Sequence, residues 1–306
     1  MKTTTTAILV VLLSILNGFS QNNTEDQGSV IQNLTPSKLI GKGQVDIKWF
    51  NNIFTSKKEI DSNGDAQDID RINFFTSTLE GFFGVGNTKR VALGAILEFR
   101  SNTIGGRGIF DVFQFDGERG TARSGLTNIA PSIKWVPFKN AGNFSLQSSL
   151  FIPTFSSEKE DGVFLDQDGF TWQNRFFFDT SIGGNKNWQL FFDLNTEYNF
   201  GKKELKDSND DTIEGSFANN SIRFIPGAFV SYFPNSKFTV QALVQHFHLV
   251  ALTNGNFEGN QTAAGVGVKY QLSKTLNIEG LYTNFFRGSE FTNTGQTFNI
   301  GLRFVK

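Results

Sequence analysis

Histidines 246 and 248 flank Phe247 and are the only two in the 306-residue chain. Two apart on an extended strand, His246 and His248 share a face and could offer a metal two imidazole ligands. By the parity of Phe238, Val240, Ala242 and Val244 that face is the apolar one. No carboxylate stands at a spacing that would complete a metal site. No Ser or Asp lies two residues from either histidine, so the chain lacks a nucleophile–base pair for acyl cleavage. It is therefore expected not to be an enzyme. Two Asp-x-Asn-x-Asp runs, Asp61, Asn63, Asp65 and Asp207, Asn209, Asp211, place oxygen ligands at alternate positions, a pattern that can wrap Ca2+. The position where an EF-hand-like loop needs Glu holds Ile72 or Ala218, so weak Ca2+ binding in external loops is the most these runs imply. No other cofactor is expected, and Gly105, Gly106 and Gly108 read as loop glycines with no helix to form a nucleotide cradle.

The remaining charges fall into a pattern only when placed on strands. In WQLFFDLNTEYNF, residues 188–200, Trp188, Leu190, Phe192, Leu194, Thr196, Tyr198 and Phe200 share one face. Gln189, Phe191, Asp193, Asn195, Glu197 and Asn199 share the other. A strand with one apolar, aromatic-rimmed face and one carboxylate-bearing face suits a barrel set in lipid. Similar apolar sets recur: Val91, Leu93, Ala95, Leu97 and Phe99; Phe170, Trp172, Phe176 and Phe178; Phe298, Ile300, Leu302 and Phe304. The opposite faces carry Glu98, Asp179, Asp193, Glu197 and Glu279 with Arg100, Lys134, Arg175, Arg223, Lys269 and Arg303. A charge facing lipid at mid-depth costs about 2–4 kcal/mol, so these groups are expected to point inward.

Composition agrees. The chain has 35 Phe, 31 Gly, no Cys and one Met, and its net charge of −1 offers no field for nucleic acid. Absence of Cys excludes disulfides, thiolate metal sites, a Cys nucleophile and a lipid-anchored N-terminal Cys. A mean hydropathy of −0.24 is compatible with a barrel, whose strands alternate apolar and polar residues. Lys2 followed by the apolar run 7–16 and small residues to Ser20 reads as a signal peptide over 1–20. Residues 21–42 read as a polar periplasmic tail, and 43–306 as the barrel.

About twelve antiparallel strands follow from the alternation. They span 43–54, 71–85, 90–100, 126–138, 143–155, 170–182, 188–200, 220–233, 237–252, 261–272, 275–287 and 295–305. The links alternate in length. Tight Asn/Gly/Ser/Lys turns at 87–89, 139–142, 183–187, 234–236 and 273–274 separate longer links at 55–70, 101–125, 156–169, 201–219, 253–260 and 288–294. This is the asymmetry of an up-and-down transmembrane barrel with short periplasmic turns and long external loops.

Within such a barrel, Arg100, Lys134, Arg175, Asp193, Glu197 and Arg223 would form a polar track. Phe177, Phe191 and Phe229 would form an aromatic one, with Phe151, Phe247 and Phe285 also inward. Opposed inward charges can brace a narrow lumen, line a solute path, or do both. The 101–125 loop, with Ile109, Phe110, Val112, Phe113 and Phe115, is too apolar to float in water and is expected to fold into the mouth as a constriction or packed lid that controls access.

The mature chain resembles the small Gram-negative outer-membrane β-barrels of twelve strands. The residues that carry the resemblance are the signal segment, the alternating loop lengths and the last strand, GQTFNIGLRFVK. Its aromatic Phe304 looks like the terminal signal read by the barrel-insertion machinery, which the resemblance implies as a partner during biogenesis. APSIKWVPF, residues 130–138, is similar to strands of the phenol-degradation-associated (meta-pathway) transporter family. That resemblance implies uptake of small aromatic or hydrophobic compounds. The expectation is a narrow passive channel in the outer membrane, with the lipid bilayer and a small solute as partners. The alternative is a non-conducting barrel that displays its loops for adhesion or serves as an assembly partner, and an outer-membrane hydrolase comes third.

Overall fold

The computed structural model describes residues 38–183, 187–201, 220–252, 258–289 and 292–306. The signal segment 1–20, most of the tail 21–42, and Asp207, Asn209 and Asp211 lie outside the described residues. Twelve strands close an antiparallel barrel. The first five in the wall are β1 (Val45–Ile60), β2 (Ala66–Val85), β3 (Val91–Thr103), β4 (Ala122–Trp135) and β5 (Phe144–Pro153). A two-residue-per-arm hairpin, β6 (Lys159–Glu160) and β7 (Val163–Phe164), stands apart from the wall. The wall continues with β8 (Phe170–Ile182), β9 (Trp188–Phe200), β10 (Ser221–Tyr232), β11 (Phe238–Ala251), β12 (Glu258–Gln271), β13 (Leu276–Gly288) and β14 (Asn293–Val305).

Each wall strand pairs with its chain neighbour, and β14 returns to β1 in a register running from Asp46↔Val305 to Ser56↔Gly295. Closure removes the edge strands that would otherwise present unpaired backbone groups. β8 and β9 coincide residue for residue with the strands the alternation predicts, because an unbroken two-residue period fixes both their faces and their length.

The molecule is inverted relative to a water-soluble domain. Trp49, Leu93, Val266 and Ile300 are 49%, 50%, 59% and 61% exposed, whereas Gln147, Asn199 and Thr239 are at most 2% exposed. An outer apolar face over a polar interior is stable only when hydrocarbon is the outer solvent. Trp49 and Trp172 each keep the indole N–H satisfied by donating to a serine on the adjacent strand, Ser77 and Ser148, both at 2.9 Å. This suits aromatic rings at a membrane interface.

The 55–70 stretch, expected as a loop, is strand. β1 and β2 remain paired out to Ile60↔Ala66 and turn only at 61–65. The alternation persists through it, but Lys57, Lys58, Asp68 and Asp70 mask the signal. At 16 and 20 residues, β1 and β2 exceed the ~9–11 that cross a bilayer and so project beyond it. Asp61 closes the turn: its Oδ1 accepts the N–H groups of Asn63 and Asp65 at 2.9 Å each, and its Oδ2 accepts from Gln67. These hydrogen bonds, led by that from Asp65, hold its carboxyl below the usual carboxylate range. Its oxygens serve an Asx-type turn.

Candidate functional site

The barrel interior holds a cavity of about 620 Å³. Even-numbered positions of β1, β2 and β3 and odd-numbered positions of β8 to β11 face it, among them Phe50, Asn52, Glu80, Glu98, Arg175, Asp193 and Phe229. The pleat fixes this choice, since lipid claims the opposite parity.

Charges inside the barrel are matched between strands, most across neighbours and Lys134–Glu80 from β4 over β3 to β2. Arg303 forms a bidentate pair with Asp46, at 2.8 and 2.7 Å, across the β1–β14 seam. Lys269 meets Glu279 at 3.1 Å, and Lys134 meets Glu80 at 3.8 Å while lying 3.7 Å over the Phe82 ring. Arg175 donates to Asp193 and stands 5.0 Å above the Phe177 ring. Arg223 meets Glu197 at 2.8 Å, and Glu197 also accepts from Gln173 and Asn195 at 2.9 Å each. Buried charges are tolerable only with partners of this kind.

Two aromatic arcs run between these pairs. Phe74, Phe54, Phe285 and Phe247 follow one another at 6.0, 5.6 and 5.6 Å between ring centroids. Phe177, Phe191 and Phe229 follow at 6.0 and 5.4 Å. The wall can thus offer an apolar surface and a polar one at the same depth.

Both ends of the lumen are narrowed by chain. At the end holding the short turns, Ile40 packs on Phe82 and Ala92 with Leu39 beside it. Gly84 makes room for this segment, since a Cβ there would lie 2.0 Å from the Gly41 carbonyl oxygen. At the opposite end the link between β7 and β8 folds inward. Asn102 donates to the carbonyls of Phe164 and Leu165 at 2.7 and 2.9 Å, and Arg123 donates to those of Glu158 and Ser157. Asp166 accepts from Asn128 at 2.9 Å and lies 3.1 Å from Arg100, which also holds Glu98 at 2.9 Å.

The 101–125 loop does not enter the mouth. Its 3-10 turn, Ile109–Phe113, docks on the outside of β1–β3, where Val112 is fully buried against Ile53 and Phe75 with Phe99 and Ile109 around it. Asn73, also outward, donates to the carbonyls of Arg107 and Gly108 and to Thr103, and accepts from Thr55. Ser101 donates to the Val112 carbonyl at 2.6 Å. The projecting parts of β1–β3 carry these polar groups outward, and the loop satisfies them. Arg107 pins the loop on itself through Asp116 at 2.6 Å and Glu118 at 3.0 Å, and its hydrogen bond to Asp116 holds that carboxyl low.

The sequence-derived residues land as follows. Arg100, Lys134, Arg175, Asp193, Glu197 and Arg223 all project inside. Of these, Arg175 and Asp193 line the cavity; Lys134 sits behind Glu80, and Arg100 is engaged by Glu98 and Asp166. Phe191 and Phe229 line it, while Phe177 is buried beneath Arg175. His246 and His248 point outward, His246 Nδ1 lying 2.9 Å from Thr262 Oγ1. Among the described residues no three His, Asp or Glu side chains gather as a metal site. Sequence reasoning missed Asp46, Lys48 and Glu80, although Asp46-x-Lys48-x-Phe50-x-Asn52 alternates legibly with Ile47 and Trp49. It also missed Asp166, which sits in a loop and has no periodic signal.

No protein-family model matches this chain, and no curated protein does. Among solved structures, the beta domain of the Bordetella autotransporter Brka superposes with a TM-score of 0.53 over 85% of this chain and 99% of its own, at 14% identity. An outer-membrane channel from Pseudomonas putida F1 superposes with a TM-score of 0.65 over 92% of this chain and 99% of its own, at 12% identity. At such identities the likeness concerns the backbone path, and this chain has the closed-barrel fold of outer-membrane proteins.

Proposed function

We propose that this chain lies in the outer membrane as a narrow channel that passively admits a small solute with an aromatic or hydrophobic body. Export through residues 1–20, a short periplasmic tail and insertion of 43–306 by the barrel-assembly machinery belong to the same reading. The observation that carries it is the lumen itself, where Phe191 and Phe229 line one cavity with the ion pairs Arg175–Asp193 and Lys269–Glu279. An aromatic solute can exchange water for ring contacts there without stripping the wall of its charges. The similar P. putida protein is itself a channel.

Planar-bilayer recording of the refolded protein tests this. Discrete conductance steps, altered by Arg175→Ala, support the channel. A folded, heat-modifiable barrel that stays silent would favour the second reading, a barrel that displays loops or serves in assembly. The observation behind that reading is the packing of Ile40 at one end and of Asp166 at the other.

A further inference from the structure

One cation in the cavity wall has no ion pair. The cavity is lined by four basic residues, Lys48, Arg175, Lys269 and Arg303. Three are matched within ion-pair distance by Asp193, Glu279 and Asp46. Lys48 stands directly opposite Glu80 in the β1–β2 register and lines the cavity together with Glu80 and Glu279. Glu279 is held by Lys269 at 3.1 Å, and Glu80 is shared, with Lys134 at 3.8 Å on its other side. Around this stretch of wall the order is Lys134, Glu80, Lys48 with Asp46, Arg303, Glu279, Lys269: four cations on three carboxylates. Lys48 itself makes no ion pair among the described residues.

Across the whole lining four cations meet four carboxylates, Glu80, Glu98, Asp193 and Glu279, so the positive surplus is local to the Lys48 stretch, where Lys134 stands behind the wall and the lining is aromatic. Phe50 is the next inward residue on the same strand, and Phe191 and Phe229 line the same cavity. Gln241 and Gln245 add side-chain amides that can donate to an anion. The opposite imbalance, one Arg100 against Glu98 and Asp166, lies at the loop end, where Asn128 and Thr127 supply further donors to the two acids. A cavity of about 620 Å³ falls within the ~300–1,000 Å³ typical of small-molecule sites.

We propose that the lumen selects small aromatic carboxylates, with Lys48 as the docking point for the carboxylate and the lumen phenylalanines as the surface for the ring. The inference deepens the channel reading and rests on it for passage of the bound solute. Neutral aromatics would use the rings alone, and aromatic amines would meet the surplus positive charge.

Calorimetric titration of the detergent-folded full chain with benzoate, phenol and benzylamine at pH 7.5 and low salt tests the site without requiring conduction. Benzoate is expected to bind at least tenfold more tightly than phenol, with benzylamine weakest. Lys48→Met should remove the preference for benzoate and leave phenol unchanged, while Lys48→Arg should keep it. Retained heat-modifiability shows that each variant is folded. In bilayers the wild-type reversal potential should report anion preference that Lys48→Met abolishes. Equal binding of benzoate and phenol, or a preference indifferent to Lys48→Met, overturns the proposal. Lys48-dependent benzoate binding in a silent barrel would sink the channel reading and leave the site; conduction without benzoate preference would do the reverse.

Discussion

Asp166 reaches from the link between β7 and β8 into the barrel and meets Arg100 of β3 at 3.1 Å, with Glu98 on the other side of the same guanidinium at 2.9 Å. One cation thus holds two carboxylates, and one of those belongs to the segment that narrows the mouth. Asp166 is only 6% exposed. Burial pushes its carboxyl from the ordinary 3.8 up to about 6, Arg100 opposing and Glu98 reinforcing the rise. A carboxyl with a raised value in the docked state binds its proton more tightly there than when undocked. Its contribution to docking is therefore fully present below about pH 4 and is lost as pH rises through about 6, by at most about 3 kcal/mol. Amide exchange of Val163 and Phe164, corrected for intrinsic rates, should show more protection at pH 5 than at pH 7. Asp166→Asn should show the same protection at both. Equal protection in the unaltered chain at the two pH values would refute the latch.

Arg175 of β8 reaches diagonally to Asp193 of β9, and Asp193 is the more buried of the two. Arg175→Ala strands that carboxylate and removes the guanidinium from above the Phe177 ring. Loss of about 2–3 kcal/mol is expected, below the range for fully buried pairs because the lumen cavity reaches Arg175. Arg175→Ala with Asp193→Ala should be more stable than Arg175→Ala alone in thermal unfolding followed by gel mobility. A double variant no better than the single one would show that the pair's charge balance is unimportant.

Asn73 ties the 101–125 loop to the outer wall, and its side chain satisfies the carbonyls of Arg107 and Gly108. Asn73→Ala should cost about 1–3 kcal/mol, the usual penalty for leaving buried polar groups unpaired. Limited proteolysis should then cut near 105–117 faster, while channel conductance stays the same. Raised conductance in this variant would mean that the loop obstructs the lumen after all.

Ile40 fills the turn end against Phe82 and Ala92. Ile40→Asp places a carboxylate on that apolar contact, and the segment should leave the mouth. Single-channel conductance is expected to rise at least twofold, with the barrel's heat-modifiability unchanged. Gly84→Val should act alike from the other side, since its side chain would displace Gly41. Unchanged conductance in both variants would place the narrowest point elsewhere in the lumen.

The sequence by itself determined the wall. A period of two is a local property of extended backbone, so Trp188 to Phe200 declared both its faces without reference to any other strand. Inward charge followed from the cost of placing Asp193 or Arg175 in hydrocarbon, again a local argument. Tertiary structure decided the partners and the destinations of the loops. Whether Arg175 meets Asp193, or Lys48 is left without an ion pair between Glu80 and Glu279, depends on register between strands that share no sequence pattern. The apolar 101–125 loop had two surfaces it could cover. The projecting outer face of β1–β3, with Asn73 and Ser101 in need of hydrogen bonds, took it, and the less apolar link bearing Asp166 entered the mouth instead. Such choices follow from complementarity between surfaces far apart in the chain, and no single segment contains them.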